Sequence, residues 1–209
     1  MLRIGALVSG GGTNLQAIID AVESGYIKNA SLTLVISNKS DAFALQRAAK
    51  HKIKTKVITS KGFANTEMYS KALADAFKAD KVELILLAGF MAILGASFFA
   101  DFKNKVMNIH PALIPSFSGP GYYGLKVHKA VLEYGCKVTG ASVHFVTPEV
   151  DAGPLIIQKA VSVQPGDTAE MLQRRVMEQA EWEIYPEAVR LFAEGRLCVK
   201  GRQVQIKMN

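Results

Sequence analysis

Short apolar runs alternate with amphipathic segments through the first half of this chain, and this alternation restricts the possible folds more than any other feature. The runs Leu2–Ser9, Ser31–Ser37 and Val82–Leu87 have the largely apolar character of strands that are buried on both faces of a sheet. Between the first two runs, apolar residues recur at helical spacing over 15–22, and Gly25 follows as a helix end. Strands that alternate with helices predict βαβ units, right-handed crossovers and a mostly parallel sheet.

The pattern changes after the loop 112–124, which is too rich in proline and glycine for a helix or a central strand. Two long strands, 137–146 and 155–163, predict a hairpin, and a shorter hairpin closes the sequence. A long helix from 167 or 168 to 194 is predicted between the hairpins, and Pro186 inside it predicts a kink.

The whole pattern indicates one α/β domain over residues 1–209, with a mostly parallel Rossmann-like sheet, helices on both of its faces and an antiparallel C-terminal portion. The other predicted elements are strands at 55–58 and 105–108, helices at 41–50, 96–102 and 126–134, and a helix that begins near 65.

Composition excludes several classes of protein. Apolar residues make up 49% of the chain, enough for a folded core, but the longest apolar run, 84–91, is too short to cross a bilayer. The N-terminus leads directly into a strand and does not resemble a signal peptide. Cys136 and Cys198 provide no disulfide framework. We therefore expect a soluble, cytoplasmic protein without a membrane partner.

The net charge of +7 is compatible with nucleic acid but does not require it. The dense basic group, Lys50–Lys56, alternates with other residues at a helix-to-strand junction and is typical of a solvated surface. A small anionic substrate, such as a phosphate or polycarboxylate, explains the same charge.

Asn108 and His110 stand two residues apart at the end of a predicted strand, so their side chains point the same way. Pro111 ends the strand because proline has no N–H to donate. A polar pair at a strand end beside a long loop is a common way to build a catalytic site. The alternative is an asparagine that forms a turn and a histidine that is satisfied by backbone, and this segment alone does not decide between them.

The junction Gly10–Asn14 joins the first strand to the first helix and predicts an anion site, because backbone N–H groups and the helix dipole face the loop. Leu15 stands where a dinucleotide fingerprint has its third glycine, and no Gly-Lys-Ser/Thr follows as in a Walker loop. A single phosphate fits, with the side chains of Thr13 and Asn14 as further donors; a tight turn that binds nothing is the alternative.

The segment 140–146 alternates in polarity and places Ser142 and His144 on one face of a strand. Asp151 follows in the next loop, where an acidic residue before Gly-Pro is usually part of a turn. It becomes a catalytic candidate only if it lies near His110 or His144, where a carboxylate would raise the pKa of an imidazole. We expect no metal site, because no pair of histidines or cysteines has close ligand spacing.

Several of these segments together resemble the phosphoribosylglycinamide formyltransferase family, folate-dependent enzymes of purine synthesis. The resemblance covers essentially the whole chain, and its motifs occur in order: 8–15, 88–91, 108–115, 140–146, 151–154, 184–188 and 194–197. The Asn-x-His motif and the aspartate are shared by the wider formyltransferase superfamily. The phosphate loop with Asn14, in a chain of this length, resembles the phosphoribosylglycinamide formyltransferases in particular among that superfamily.

The resemblance implies a catalytic set of Asn108, His110 and Asp151. Asn108 and a protonated His110 would stabilise negative charge on the formyl oxygen, and Asp151 would keep His110 protonated and accept the proton of the amine through water. His144 and Ser142 would support them.

The resemblance also implies the ligands: 10-formyltetrahydrofolate as co-substrate, glycinamide ribonucleotide as acceptor, no metal and no nucleic acid, with the protein a monomer or weak dimer. Residues 1–107 would form a phosphate-binding half and 108–209 a catalytic and folate-binding half. The implied phosphate and ribose contacts are Gly12, Thr13, Asn14 and Glu181. The implied folate contacts are Thr66, Met91, Ala92, Ile93, Leu94, Asn108, Thr147 and Asp151.

The chain departs from the family pattern at three places. Ala92 and Thr66 stand where the family usually has arginines near the folate, which puts the contacts to the folate tail in question. One extra residue between Val176 and Ile184 puts the assignment of Glu181 in question.

Two other functions compete with this one. A formyl-folate transferase or hydrolase of the same superfamily would share the catalytic set, although such proteins usually carry an extra domain for which these 209 residues have no room. A basic nucleotide- or RNA-binding module would use the positive charge but would have no use for Asn108, His110 and Asp151 together.

Overall fold

The computed structural model describes residues 1–208, which form two compact units. The first comprises Met1–Asn108 and the second begins at Ile109, so the boundary lies inside strand β5, Val106–His110.

The N-terminal unit is built on a parallel sheet. Its strands pair in parallel in the order β3-β2-β1-β4-β5. The neighbouring strands β1 and β4 carry buried apolar runs, with Ile4, Leu7 and Leu84 fully buried, as expected for strands covered on both faces. The strands of this unit besides β5 are β1 Leu2–Val8, β2 Ala30–Ser37, β3 Lys54–Val57 and β4 Leu84–Leu87.

Four helices complete this unit: α1 Thr13–Glu23, α2 Phe43–Lys50, α3 Thr66–Ala79 and α4 Ala96–Asp101. Helix α3 starts after Asn65, whose side chain accepts the Met68 N–H as an N-cap. Its apolar stripe of Tyr69, Leu73 and Phe77 is buried, as the sequence predicts.

The C-terminal unit is mainly antiparallel. From the end of β5 its strands follow the order β5-β6-β7-β9-β8; β6 and β7 pair antiparallel, as do β8 and β9, while β7 and β9 meet in parallel. Both predicted hairpins are therefore confirmed. Its helices and strands are α5 Leu125–Glu133, β6 Val138–Phe145, β7 Leu155–Ser162, α6 Ala169–Val176, α7 Trp182–Ala193, β8 Leu197–Lys200 and β9 Gln203–Ile206.

The predicted long helix is interrupted by a π-helical segment, Met177–Glu181, between α6 and α7. Pro186, where the sequence predicts a kink, lies inside α7. A π turn holds one residue more than an α turn because its hydrogen bonds span five residues. It therefore lies where the sequence has its extra residue, between Val176 and Ile184.

The predicted α/β class, the mostly parallel sheet and the antiparallel C-terminal portion are confirmed. Differences at element ends are small: α2 begins at Phe43 rather than 41, and β4 at Leu84 rather than 82.

Candidate active site

His110 is the last residue of β5 and is held at both ring nitrogens. Pro111 ends the strand, and His110 is 4% exposed. Its Nε2 lies 2.8 Å from the carbonyl oxygen of Phe117, and its Nδ1 lies 3.5 Å from Oδ2 of Asp151. Asn108 is partly buried two residues earlier, on the same side of the strand.

Asp151 lies between two histidines. Its Oδ2 accepts the Gly119 N–H at 2.9 Å and faces His110, and its Oδ1 lies 3.7 Å from Nε2 of His144. Asp151 adopts a positive φ of 52°, which is uncommon for a residue other than glycine. Asp151 is a catalytic candidate only if it lies near His110 or His144, and it lies near both histidines. We call His110, His144 and Asp151 the His110 cluster.

Burial dominates the protonation of the cluster. Burial lowers the pKa of His110, and the Asp151 carboxylate and the Phe117 carbonyl offset that shift only in part. Asp151 thus acts in the predicted direction and raises the pKa of His110, but by less than burial lowers it in the free protein. Burial also acts to raise the pKa of Asp151, but the two histidines and the Gly119 N–H outweigh it and leave the pKa below its ordinary value. The cluster at neutral pH is a carboxylate beside a neutral imidazole.

A third histidine, His128 on α5, lies close enough to His110 for the charge of His110 to lower its pKa, and the sequence did not single it out. It is fully buried and neither ring nitrogen has a hydrogen-bond partner among the residues that the structure describes. Burial first, and then the charge of His110, lower the pKa of His128 to about 4. The His128 side chain is therefore uncharged at physiological pH.

Ser142 holds the chain that follows Pro111. Its hydroxyl donates to the Ala112 carbonyl at 2.6 Å and accepts the Ile114 N–H at 3.0 Å. The amide of Gln158, on the neighbouring strand, donates both to Ser142 Oγ and to the Ile114 carbonyl. Ser142 thus supports the loop after His110, with Gln158 as a second support that sequence reasoning missed.

The glycine-rich loop 10–12 packs against the start of α2. Gly12 has φ 71° at the N-terminus of α1, and a Cβ there would lie 2.6 Å from Cβ and 2.8 Å from Cα of Ala44. A Cβ on Gly10 or Gly11 would meet nothing within 4 Å. Thr13 and Asn14 are the first residues of α1, where N–H groups lack partners within the helix. The open side of the loop is therefore at Gly10 and Gly11, whereas Gly12 is needed for packing.

The segment 91–94, predicted to bind the pterin through its backbone, is partly committed to the fold. The Met91 N–H donates to Ser9 Oγ at 2.8 Å, and Ser9 Oγ donates to Asn38 Oδ1 at 2.7 Å. This chain of hydrogen bonds ties together the segments that follow β1, β2 and β4. The Met91 N–H is thus engaged by Ser9 in the free protein, while Ala92 is half-buried, Ile93 is 75% exposed and Leu94 is buried.

The other predicted contacts lie on separate segments. Thr66 is exposed in the first turn of α3, and Thr147 donates to the Glu149 carbonyl at the start of the loop that carries Asp151. Glu181 is buried at the end of the π-helical segment. The structure therefore brings His110, His144 and Asp151 together within the C-terminal unit.

No group of three histidine, cysteine, aspartate or glutamate side chains within residues 1–208 is placed to hold a metal ion. Cys136 and Cys198 are free thiols. Over the same range, none of the helices is both long and apolar enough to span a membrane.

The parallel sheet, the glycine loop and the histidine–aspartate cluster are those of a one-carbon transferase, and the chain belongs to the formyl transferase family, whose profile matches residues 2–189. The phosphoribosylglycinamide formyltransferase of Haemophilus influenzae is 42% identical over 200 residues, covering 96% of this chain and 91% of that protein. The trifunctional purine biosynthetic protein adenosine-3 of Gallus gallus is 42% identical over 198 residues; the match covers 95% of this chain but only 19% of that protein.

The crystal structure of glycinamide ribonucleotide transformylase 1 from Symbiobacterium toebii has the same fold. It superposes with a TM-score of 0.93 at 44% identity, covering 99% of this chain and 94% of that one.

Proposed function

We propose that this chain transfers the formyl group of 10-formyltetrahydrofolate to the amine of N1-(5-phospho-D-ribosyl)glycinamide, a step of de novo purine biosynthesis. One observation carries the proposal: the Haemophilus influenzae enzyme named for this reaction matches nearly the full length of both chains at 42% identity. The chain is accordingly a folate-dependent formyltransferase that acts on small molecules.

The reaction forms one C–N bond and breaks another. The substrate amine attacks the formyl carbon, negative charge develops on the formyl oxygen, and the bond to N10 of the folate then breaks. The amine loses a proton and N10 gains one. Asn108 and His110 are proposed as hydrogen-bond donors to the developing oxyanion. Such donors stabilise a transition state most strongly in a site that excludes water. Asp151, ionised and buried beside His110, is proposed to take the proton of the amine through water.

The contacts of His110 in the free protein set a condition on this mechanism. Both ring nitrogens face protein oxygens, at Phe117 and Asp151, so one of these contacts has to give way to the formyl oxygen. Negative charge on that oxygen would raise the pKa of His110 and reverse the effect of burial. We therefore place protonation of His110 in the substrate complex rather than in the free protein.

The substrate contacts are proposals of the same kind. Gly12, Thr13 and Asn14 would hold the phosphate, with the open backbone at Gly10 and Gly11 beside them. Glu181, which is buried and carried by the π-helical segment, would meet the ribose hydroxyls. The folate would lie along 91–94 and the loop 147–151, with Thr66 and Asn108 as further contacts. A cytoplasmic location, no nucleic-acid partner, and a monomer or weak dimer complete the proposal; sedimentation velocity tests the last.

The test is a formyl-folate absorbance assay with glycinamide ribonucleotide as the only acceptor. Loss of the absorbance that requires the ribonucleotide, with one formylated product per folate consumed, is the expected result. Release of formate without the ribonucleotide would identify a hydrolase instead. Isothermal titration with glycinamide ribonucleotide against a short RNA separates the enzyme from a nucleic-acid-binding module.

A further inference from the structure

Helix α2 holds the first two carbonyl groups of the glycine loop, those of Gly10 and Gly11. The Ala44 N–H donates to the Gly10 carbonyl at 3.0 Å, and Nε of Arg47 donates to the Gly11 carbonyl at 2.9 Å. The Arg47 guanidinium is itself fixed, because its Nη1 donates to Gln16 Oε1 at 3.2 Å and its Cζ lies 5.0 Å from the centre of the Phe43 ring.

These two hydrogen bonds determine where the N–H groups of the loop point. The Gly10–Gly11 and Gly11–Gly12 peptide bonds are trans, and in a trans peptide the carbonyl and the following N–H point in opposite directions. Because both carbonyls face α2, the N–H groups of Gly11 and Gly12 face away from α2. Cβ atoms built on Gly10 and Gly11 would have no neighbour within 4 Å among residues 1–208, so there is open space beside the loop at these two positions.

We propose that Arg47 is a positioning residue for the substrate phosphate, and this rests on the function proposed above. The side chain of Arg47 holds the Gly11–Gly12 peptide with its N–H toward the phosphate and its carbonyl away from it. Glycines on both sides of this peptide offer little steric resistance to rotation, so a partner outside the loop is needed to hold one orientation. Without that partner the peptide can turn its carbonyl toward the anion.

The positive charge of Arg47 provides a competing explanation, since it would attract a phosphate without orienting any peptide. Lys50, exposed at the end of the same helix, carries an equal charge and lies one turn further along the chain. Arg47→Met removes the charge and the hydrogen bond, and Lys50→Met removes only a charge. Arg47→Gln keeps an N–H donor without the charge.

The experiment measures kcat, KM for glycinamide ribonucleotide and KM for 10-formyltetrahydrofolate in the full-length protein. Arg47→Met should raise KM for the ribonucleotide about tenfold, the loss of one hydrogen bond to a charged group, with kcat and KM for the folate within about twofold. Lys50→Met should leave all three within about twofold, and Arg47→Gln should recover part of the loss. Equal effects of Arg47→Met and Lys50→Met, or a parallel rise in both KM values, would overturn the proposal.

A second readout does not depend on activity. Inorganic phosphate titrated into 15N-labelled protein should shift the amide signals of Gly11 and Gly12 in the wild type. In Arg47→Met the Gly12 shift should be lost, whereas the Gly11 shift should remain, because the Ala44 N–H still holds the Gly10–Gly11 peptide. A Gly12 shift that persists in Arg47→Met would refute the positioning role. A wild type that shows these shifts but transfers no formyl group would contradict the proposed function and leave the role of Arg47 standing.

Discussion

The glycine loop of the N-terminal unit and the His110 cluster of the C-terminal unit both follow the end of a strand, yet they are built by opposite means. The loop presents backbone, and its geometry is maintained by a neighbouring helix that binds its carbonyls. The cluster presents almost fully buried side chains, and burial acts together with neighbouring charges on the pKa values of His110 and Asp151.

The difference lies in what each region is sensitive to. A backbone site is damaged by added atoms and by loss of the groups that orient its peptides, whereas its charge hardly changes with pH. A buried side-chain cluster is damaged by removal of one partner, because the remaining polar groups lose their compensation. Substitutions in the two regions test this contrast through their effects on catalysis, stability and ligand binding.

Removal of a cluster side chain should have the largest effect. His110→Ala should lower kcat by roughly 10² to 10³, the usual result of deleting an oxyanion donor, and Asn108→Ala should act in the same direction. His110→Ala should also lower the free energy of unfolding by about 1–3 kcal/mol, because the Phe117 carbonyl loses its donor. Sequence reasoning alone predicted no such change in stability. Single-turnover kinetics and urea unfolding measure the two effects. Near-normal turnover in either variant would show that the end of β5 is not the active site.

Neutralising Asp151 should change the pH dependence as well as the rate. Asp151→Asn removes the carboxylate that partly offsets burial, so the pKa of His110 falls further. A lower pKa leaves less imidazolium at neutral pH, so kcat there should drop by roughly 10² and partly recover as the pH falls, until the attacking amine protonates. NMR titration of the His110 ring checks the cause, with Asp75→Asn, an exposed carboxylate on α3, as the matched control. An unchanged His110 pKa would leave Asp151 as proton acceptor only.

Two glycine variants separate packing from ligand approach in the loop. Gly12→Ala should lower the free energy of unfolding by about 1–3 kcal/mol, because its φ is left-handed and its Cβ meets Ala44. Gly11→Ala has open space and should leave stability nearly unchanged, while raising KM for the ribonucleotide about tenfold and sparing KM for the folate. If Gly11→Ala leaves KM for the ribonucleotide unaltered, the loop does not receive the phosphate.

The smallest effect should come from restoring an arginine at the proposed folate segment. Ala92→Arg should tighten binding of a polyglutamylated folate roughly twofold to fivefold, the range of a solvent-exposed charge pair, and added salt should cancel the gain. Binding of the monoglutamate form should change less. If the wild type already binds polyglutamylated folate much more tightly than the monoglutamate, lysines such as Lys61 provide the positive charge for the tail. Lys61→Ala would then reduce that preference.

The sequence by itself determined the alternation of strands and helices, both C-terminal hairpins and the end of β5 at His110. These depend on local properties: runs of apolar residues, helical spacing, and a proline that cannot donate to a ladder. It also indicated the separate pieces of the candidate site, because each piece is a short motif at a strand end.

Only the tertiary structure decided how those pieces work. Asp151 meets His110 across 41 positions of sequence, and the balance between burial and charge that lowers the pKa of His110 depends on distances no local pattern records. The contact of Gly12 with Ala44 and the hydrogen bond from Arg47 to Gly11 likewise join two separate elements. The extra residue before Ile184 is visible in the sequence, but its place in a π turn between α6 and α7 is seen only in the structure. Local sequence determines which conformations a segment prefers, whereas pKa values, peptide orientation and steric limits are set by neighbours that folding brings together.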